Sequence, residues 1–309
     1  MTATGKKFTG KKPRMKIEGV LFLAAGFGTR DEPLSLIFPK ALLPFGAETI
    51  LGRLAAQVSS VQPGSVRINA SRCPNALMSE ISAVWPEEIC ELYFEERPLG
   101  ASATLARHKD EMNGGTWMIV NTDMIIEEFD PLEMLEYHRN SASDWTVLTG
   151  DFPSDGDYSP LMIDDNLKFG PGGTEKTHYW GVSLMEPLVS TTAAMMQASG
   201  GLFSELAPEV AAAGGRLTAF RCDGRWKDMG NAGLLRDNIL SGGSFVHPSA
   251  CVSSDTVLEG SWNIGRNCIL GSGTVLRDSV MLEGASFESG TLDKSILPWF
   301  CSSRDGEFA

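Results

Sequence analysis

The chain has 309 residues, of which 42% are hydrophobic, and a net charge of −13. This length forms one large domain with an appendage, or two domains, and either can bury a core. The acidic balance argues against a polyanionic partner such as DNA or RNA. The six cysteines are scattered and contain no C-x-x-C pair, so we predict reduced, structural thiols rather than disulfides or a zinc site.

Residues 1–18 are basic and are predicted to form a flexible tail. They lead into an apolar run at residues 20–25, an arrangement that superficially resembles a secretory signal peptide. The run has about six residues, which is shorter than the 7–15 expected of such a signal. No stretch approaches the roughly 18 apolar residues of a membrane span. We therefore predict a cytoplasmic protein without a membrane partner.

Residues 19–241 alternate short apolar runs with amphipathic segments. Seven runs have the composition of strands, namely GVLFLAA, VRINAS, ICELYFE, TWMIVN, DWTVLTG, YWGVSLM and LTAFRC. Four segments have helical patterns, namely ETILGRLAAQVSS, GASATLARHKDEM, DPLEMLEYHRN and SELAPEVAAAGG. This alternation predicts an α/β domain with a mainly parallel sheet, whose ligand lies at the carboxyl ends of the strands.

A different periodicity begins after residue 244. Aliphatic residues recur at every sixth position, at Val246, Val252, Leu258, Ile264, Leu270, Leu276 and Leu282. A period of six fits neither a helix nor a sandwich and is typical of a parallel β-helix. We predict that residues 245–309 form a short left-handed parallel β-helix with a C-terminal tail. Because a short solenoid buries its ends poorly, we expect it to dock on the first domain or on another subunit.

The segment LAAGFGTRDEPLSLIFPKALLPF, residues 23–45, places a glycine-rich turn after the first strand and then an arginine and a lysine. The third glycine of a dinucleotide fingerprint and the G-K-S/T of a P-loop are both missing. A glycine-rich turn lets backbone N–H groups approach a phosphate closely, and the two cations would neutralise a polyphosphate. The segment thus favours a nucleotide phosphate site of another kind.

The same segment resembles the signature L-A-x-G-x-G-T-R-x-x-P-L-T-x-x-x-P-K-x-L-L-P of the sugar-1-phosphate nucleotidyltransferases. Four downstream segments resemble family motifs in the same order, namely EERPLGASATL, TWMIVNTDMI, FDPLEMLEYHRNSASDWTVL and GRWKDMGNAGLLRDNI. The repeat tail is similar to that of the mannose-1-phosphate guanylyltransferase subgroup. The resemblance implies a Rossmann-like, GT-A-like domain that uses Mg²⁺ to transfer a nucleotidyl group from an NTP to a sugar 1-phosphate, for cell-surface polysaccharide precursors.

By matched position, the resemblance implies roles for individual residues. Arg30 would hold the triphosphate, Lys40 would stabilise charge at the α-phosphate, and Asp123 and Asp228 would hold one Mg²⁺. The residues expected around the nucleotide are Ala24, Ala25, Gly26, Gly28, Thr29 and Gly100. The residues expected around the sugar are Lys176, Gly181 and Trp226. No protein nucleophile is needed, because the sugar phosphate itself attacks.

Two departures from the family pattern keep alternatives open. Asp31 and Glu32 place negative charge after the arginine, and the E-K-P sugar-phosphate motif is reduced to Glu175-Lys176 without a proline. This shortened form is similar to that of the N-acetylmuramate-1-phosphate uridylyltransferases, so the acceptor sugar stays open. A regulatory subunit of the same fold that senses a nucleotide sugar is the main alternative function.

The base and the assembly are also open at this stage. Ala25 resembles pyrimidine-using members and favours UTP or CTP, whereas the repeat tail favours GTP. An acyltransferase in the repeat region is a third alternative, with His247 as its one candidate base. The solenoid predicts a homo-oligomer.

Overall fold

The computed structural model describes residues 16–26, 39–154, 158–170, 172–197 and 201–298. Within this part of the chain, the strands of the first domain are β1 Ile17–Leu23, β2 Pro44–Phe45, β3 Glu48–Thr49, β4 Pro63–Ala70, β5 Cys90–Phe94, β6 Trp117–Asn121, β7 Met124–Glu127, β8 Trp145–Asp151, β9 Leu161–Ile163, β10 Glu175–Met185, β11 Leu217–Arg221 and β12 Arg225–Asp228. The helices are α1 Ile50–Val58, α2 Pro74–Ser82, α3 Ala101–Arg107, α4 Pro131–Asn140, α5 Pro187–Met195, α6 Ala207–Ala212 and α7 Ala232–Leu240. A π-helical turn, Leu202–Leu206, precedes α6.

The main sheet has the strand order β11-β8-β10-β6-β1-β4-β5, with β9 paired to β10. Strand β1 pairs parallel with β4 and β6, β4 pairs parallel with β5, and β11 pairs parallel with β8. Strand β10 runs antiparallel to its neighbours. The predicted α/β fold with a mostly parallel sheet is confirmed, and β10 is the exception that the sequence pattern did not reveal.

Apolar residues on both faces of the sheet form the core. Val20 and Phe22 of β1 belong to one buried cluster, whereas Leu21 between them belongs to the other. This alternation follows from the period of two in a strand. Helix α1 covers the first face with Leu54, and α5 covers the second with Val189. With both faces covered, the carboxyl edge of the sheet is left to hold a ligand.

The C-terminal strands pair in parallel with strands about eighteen residues further along the chain. They are β13 Phe245–Val246, β14 Cys251–Val252, β15 Val257–Ile264, β16 Ile269–Leu270, β17 Val275–Met281, β18 Ser286–Phe287, β19 Thr291–Asp293 and β20 Ile296–Leu297. Val257 pairs with Val275, and Cys251 pairs with Ile269. The interval is already seventeen residues between Trp262 and Ser279, after a register shift, and it shortens to sixteen between Val275 and Thr291.

These strands dock on the first domain. Val280 and Leu282 are buried in the same apolar cluster as β1 and α1. The side-chain amide of Asn263 donates to the backbone oxygen of Gly46 at 2.8 Å. Docking therefore buries a side of the repeat region rather than an end, because β17 is paired with β15 on one side and with β19 and β20 on the other. Within the described ranges, no helix combines the length and apolar character needed to cross a membrane.

Candidate functional site

Four neighbouring parallel strands, β6, β1, β4 and β5, end at one edge of the sheet. Polar residues, or residues next to a glycine, lie at or just after the end of each strand. The chain leaves β1 at Ala24 and β6 at Thr122-Asp123, while Asn69 lies near the end of β4 and Glu95 follows β5. Because carboxyl ends of parallel strands open onto a common crevice, these residues meet in space although they are far apart in sequence.

The crevice is a cavity of about 220 Å³. Six of the residues predicted for the nucleotide or the chemistry line it, namely Ala24, Ala25, Gly26, Lys40, Gly100 and Asp123. Gly100 has φ +88°, in the left-handed region that favours glycine. The structure thus brings together the first glycine turn, the Leu99-Gly100 turn and the end of β6.

Lys40, Asp123 and Asp228 converge around Gly230. A β-carbon placed on Gly230 would lie 3.0 Å from Oδ1 of Asp228, 3.4 Å from Nζ of Lys40 and 3.6 Å from Oδ2 of Asp123. The lysine ammonium donates to the Gly230 oxygen at 3.2 Å. One cation and two carboxylates from three separate segments therefore surround one small volume.

The pairing of β7 with β12 produces this convergence. Asp228 lies opposite Met124, the residue after Asp123, in the antiparallel register. The backbone N–H of Met229 donates to the Asp123 oxygen at 2.9 Å, and the N–H of Gly230 donates to Oδ1 of Asp228 at 2.6 Å. The first bond is to the backbone oxygen of Asp123 and fixes its main chain, whereas the second positions the Asp228 carboxylate itself.

The donor set around Gly230 fits a hard divalent cation. Such ions prefer carboxylate and phosphate oxygens, and Mg²⁺ keeps few protein ligands when substrate phosphates complete its shell. Among the described residues, no group of three or more acidic, histidine or cysteine side chains could hold a metal. Asp123 and Asp228 are the two carboxylates that converge around Gly230, and they would be the protein ligands at this site.

The other end of the crevice is a buried hydrogen-bond network that sequence reasoning missed. Oδ1 of Asn69 accepts from the N–H of Ala24 at 2.7 Å and of Ala25 at 3.2 Å. Its amide donates to Oε1 of Glu95 at 3.0 Å. Asn69 is 4% exposed and Glu95 is 3% exposed. The side chain of Asn69 therefore sets the path of the backbone after β1.

Glu95 extends this network to the opposite wall. Oε1 also accepts from the Thr104 hydroxyl at 3.0 Å, and Oε2 accepts from the N–H of Leu99 at 3.0 Å. Ion–dipole hydrogen bonds of this kind are about twice as strong as neutral ones. One buried carboxylate consequently ties the turn that follows β1 to the turn that contains Gly100.

A second cleft, with a volume of about 580 Å³, includes Asp228 in its wall. Trp226 and Tyr158 line it, and His178 packs against the Trp226 ring with the centroids 4.4 Å apart. Burial lowers the pKa of His178, an effect that the nearby Asp228 carboxylate partly opposes. An aromatic wall beside a carboxylate suits the apolar face and the hydroxyl groups of a sugar.

The remaining predicted residues are distributed unevenly. Gly181 has φ +79°, and a β-carbon there would clash with Sδ of Met124, the residue after Asp123, so this position requires glycine. Lys176 is exposed on β10, pairs with Met162 and lines neither cleft. The predicted residues that lie outside the described ranges are Gly28, Thr29, Arg30, Asp31 and Glu32.

Comparisons with known proteins agree with this geometry. Residues 19–157 match the family model for nucleotidyl transferases. Mannose-1-phosphate guanylyltransferase 1 of Arabidopsis thaliana is 23% identical over 314 residues, covering 90% of this chain and 85% of the relative. Mannose-1-phosphate guanylyltransferase of Mycobacterium tuberculosis is 25% identical over 304 residues, covering 87% and 80%.

Among solved structures, a Bacillus anthracis protein described as a glucose-1-phosphate thymidylyltransferase has a similar fold. It was crystallised with sucrose. Its TM-score is 0.60 at 15% identity, and the match covers 74% of this chain and 95% of that one.

The fold is that of an α/β nucleotidyltransferase, and residues 19–157 match the nucleotidyl transferase family. Along most of its length the chain is similar to sugar-1-phosphate nucleotidyltransferases, and it is an enzyme of that class. The resemblance and the enzyme class predicted from the motifs are confirmed.

Proposed function

We propose that this enzyme transfers a guanylyl group from GTP to a hexose 1-phosphate, with mannose 1-phosphate as the first candidate, and releases pyrophosphate. The observation that carries the proposal is the convergence of Lys40, Asp123 and Asp228 around Gly230, between the crevice at the strand ends and an aromatic cleft. The two cavities give separate places for the two substrates, and the charged groups lie where their phosphates would meet.

GTP is preferred because the relatives that match along most of the chain are named guanylyltransferases. Ala25 in the turn after β1 favours UTP instead. The relatives match over 87% or more of this chain, so we give them more weight than one residue. UTP remains the second nucleotide to test.

The residues divide the reaction between them. An oxygen of the sugar phosphate attacks the α-phosphorus, the bond to the bridging oxygen breaks, and pyrophosphate leaves with that electron pair. Lys40 would stabilise the charge that gathers at the α-phosphate, and the walls of the two clefts would align the reactants in line. We infer that Gly28, Thr29 and Arg30 bind the triphosphate.

Asp123 and Asp228 would hold one divalent cation, which we propose to be Mg²⁺. When bound, it neutralises phosphate charge and reduces the repulsion between the two anionic substrates. Ala24, Ala25, Gly26 and Gly100 would enclose the nucleoside, while Trp226 and Gly181 would border the sugar. Lys176, which is exposed on β10, would reach the sugar phosphate only from outside the second cleft.

The test is pyrophosphate release with Mg²⁺ across GTP, UTP, CTP and ATP and a panel of sugar 1-phosphates. We expect one productive pair, GTP with mannose 1-phosphate, and loss of release in Asp123→Asn. Asp110→Asn is the matched control, because this aspartate is 89% exposed on its side chain. Productive UTP with another sugar phosphate would overturn the choice of base and acceptor but keep the reaction.

Silence across the panel, combined with tight binding of a nucleotide sugar, would favour the regulatory alternative. The structure lends no separate support to acyl transfer in the repeat region, where the Nδ1 of His247 lies 2.8 Å from the Ser249 hydroxyl in its own turn.

We also propose that residues 19–241 are the catalytic domain and that residues 245–309 form a short left-handed β-helix, with residues 1–18 as a basic tail. Parallel pairing at intervals of eighteen residues supports three six-residue sides per coil. Exposed Val257 and Ile269 lie on this unit and favour a homo-oligomer. A light-scattering mass of one chain would disprove the oligomer, and removing residues 245–309 would test the boundary.

A further inference from the structure

Asp228 is held from two directions. Its Oδ1 accepts from the N–H of Gly230 at 2.6 Å, and its Oδ2 accepts from the hydroxyl of Tyr158 at 2.8 Å. The Gly230 bond lies within the same turn. Tyr158 comes from the segment between β8 and β9, seventy residues earlier in the chain. The tyrosine therefore fixes the rotation of the carboxylate relative to a different element of the fold.

The ring of Tyr158 is itself held by aromatic neighbours. Its centroid lies 4.9 Å from that of His178 and 5.6 Å from that of Trp226, both at steep angles. These edge contacts, together with the hydroxyl bond, define where the phenol stands. Removing the hydroxyl alone would leave the ring packing intact, so the hydrogen bond can be tested apart from the fold.

We propose that Tyr158 is a positioning residue that orients Asp228 for a divalent cation shared with the nucleotide. This inference rests on the proposed function and adds to it a residue outside the predicted site. Partners that orient a metal ligand typically contribute 10-fold to 100-fold to metal affinity or activity. In this role, Tyr158 acts on the cation through Asp228 and not on the reacting atoms.

The experiment titrates Mn²⁺ into the full chain in the presence of GTP without sugar phosphate, and follows free Mn²⁺ by electron paramagnetic resonance. A control titration of GTP alone is subtracted. We expect Tyr158→Phe to weaken Mn²⁺ binding by about 10-fold. Turnover should recover toward the wild-type kcat at high Mg²⁺, because the missing bond affects occupancy of the cation site.

Tyr137→Phe is the matched control. Tyr137 lies on α4 and packs on Phe220 with the centroids 5.5 Å apart, away from both clefts. It should bind Mn²⁺ like the wild type. Thermal melting of both variants checks that the fold is retained.

The outcomes separate the two proposals. If the wild type binds Mn²⁺ and turns over, and Tyr158→Phe binds it within twofold of the wild type, the role of Tyr158 is wrong while the proposed function stands. If Asp228→Asn also leaves Mn²⁺ binding unchanged, or the wild type binds none with the nucleotide that supports turnover, the cation site itself is wrong. A tenfold loss in Tyr158→Phe that is absent from Tyr137→Phe supports the positioning role.

Discussion

The two ends of the nucleotide crevice are built by different means. At the inner end, Asn69, Glu95 and Thr104 are almost fully buried and bind one another and the backbone of both walls. At the outer end, Lys40 and two aspartates surround a small volume next to the second cleft. Hydrogen bonds within the protein therefore hold the inner end together, whereas the outer end consists of charged groups that suit phosphates and a cation.

The inner end thus determines the shape of the crevice, and the outer end determines its charge. A network of paired polar groups rigidifies the walls that enclose a ligand, so it should act on nucleotide binding. Charged groups that face developing charge act on the rate, because their interactions strengthen in the transition state. Variants at the outer end should therefore lower kcat, and variants at the inner end should raise the KM for the nucleotide.

The largest effect is expected for Lys40→Ala. Removing a preorganised charge at a reacting phosphate typically costs about 10² to 10³ in rate, and we expect that loss mainly in kcat. Steady-state kinetics at saturating Mg²⁺ measure it. Lys109→Ala is the control, since Lys109 is exposed on its side chain and pairs with Asp110. A loss found in KM alone would mean that the lysine serves only ground-state binding.

A smaller effect is expected for Glu95→Gln. Every hydrogen bond described for the carboxylate is accepted, so an amide nitrogen placed on either side faces a donor from Asn69, Thr104 or Leu99. At least one bond must break, and a hydrogen bond to a charged group contributes about 1.5–3 kcal/mol. We expect the KM for GTP to rise about tenfold, with kcat within about twofold.

The matched control for this variant is Glu96→Gln, because the neighbouring side chain is exposed. Its kinetics should equal those of the wild type. A fall in kcat without a change in KM for Glu95→Gln would contradict the division between the two ends.

A still smaller effect is expected for Thr104→Val. The exchange conserves shape and removes one hydroxyl, which donates to Oε1 of Glu95 at 3.0 Å. Two other donors to Glu95 remain, so we expect a rise of about threefold in the KM for GTP, equivalent to about 0.6 kcal/mol. Thr192→Val on α5 is the control, because that hydroxyl bonds only within its helix, to the Leu188 oxygen. Equal KM values in the two variants would remove Thr104 from the network.

The outer end of the crevice could be anticipated from the sequence because its residues lie in contiguous motifs. Lys40, Asp123 and Asp228 each follow a glycine-rich or strand-end pattern, and the structure places them around Gly230. The strands of the sheet could be predicted equally well, since apolar runs of five to eight residues between turn signals have few alternative structures.

The inner end was missed because its signal is distributed. Asn69 is one polar residue in the predicted strand VRINAS, and a polar residue near a strand end reads locally as a turn. Its meaning depends on Glu95 and Thr104, which adjoin it only after parallel pairing of β4 with β5. Helix α2 was missed for a related reason, because its burial comes from packing on β4 and β5 rather than from a strong local pattern.

The smallest effect on catalysis is expected at the cluster of Glu186, His138 and Thr116, which lies at the edge of the sheet opposite the crevice. Glu186 follows β10 and accepts from the Thr116 hydroxyl at 2.5 Å, and its Oε1 lies 3.1 Å from Nε2 of His138. Burial alone would raise the pKa of Glu186, but the hydrogen bonds from His138 and Thr116 outweigh it, so the pKa is lowered. The free energy of unfolding therefore gains a contribution that is complete above the ordinary carboxyl pKa of about 4.3 and is lost as the pH falls through the lowered value.

Glu186→Gln should make the free energy of unfolding depend less on pH in the acid range. It should leave kcat and both KM values within about twofold at neutral pH, since changes far from the crevice act through the fold. Urea unfolding between pH 3 and pH 7 measures the first part, and Glu209→Gln on the exposed face of α6 is the control. An unchanged acid limb would show that the His138 and Thr116 bonds do not favour the charged carboxylate. A large loss of kcat with normal stability would show that the charge of Glu186, at the amino edge of the sheet, influences the reaction in the crevice. Charge would then affect the rate from outside the crevice as well as from its outer end.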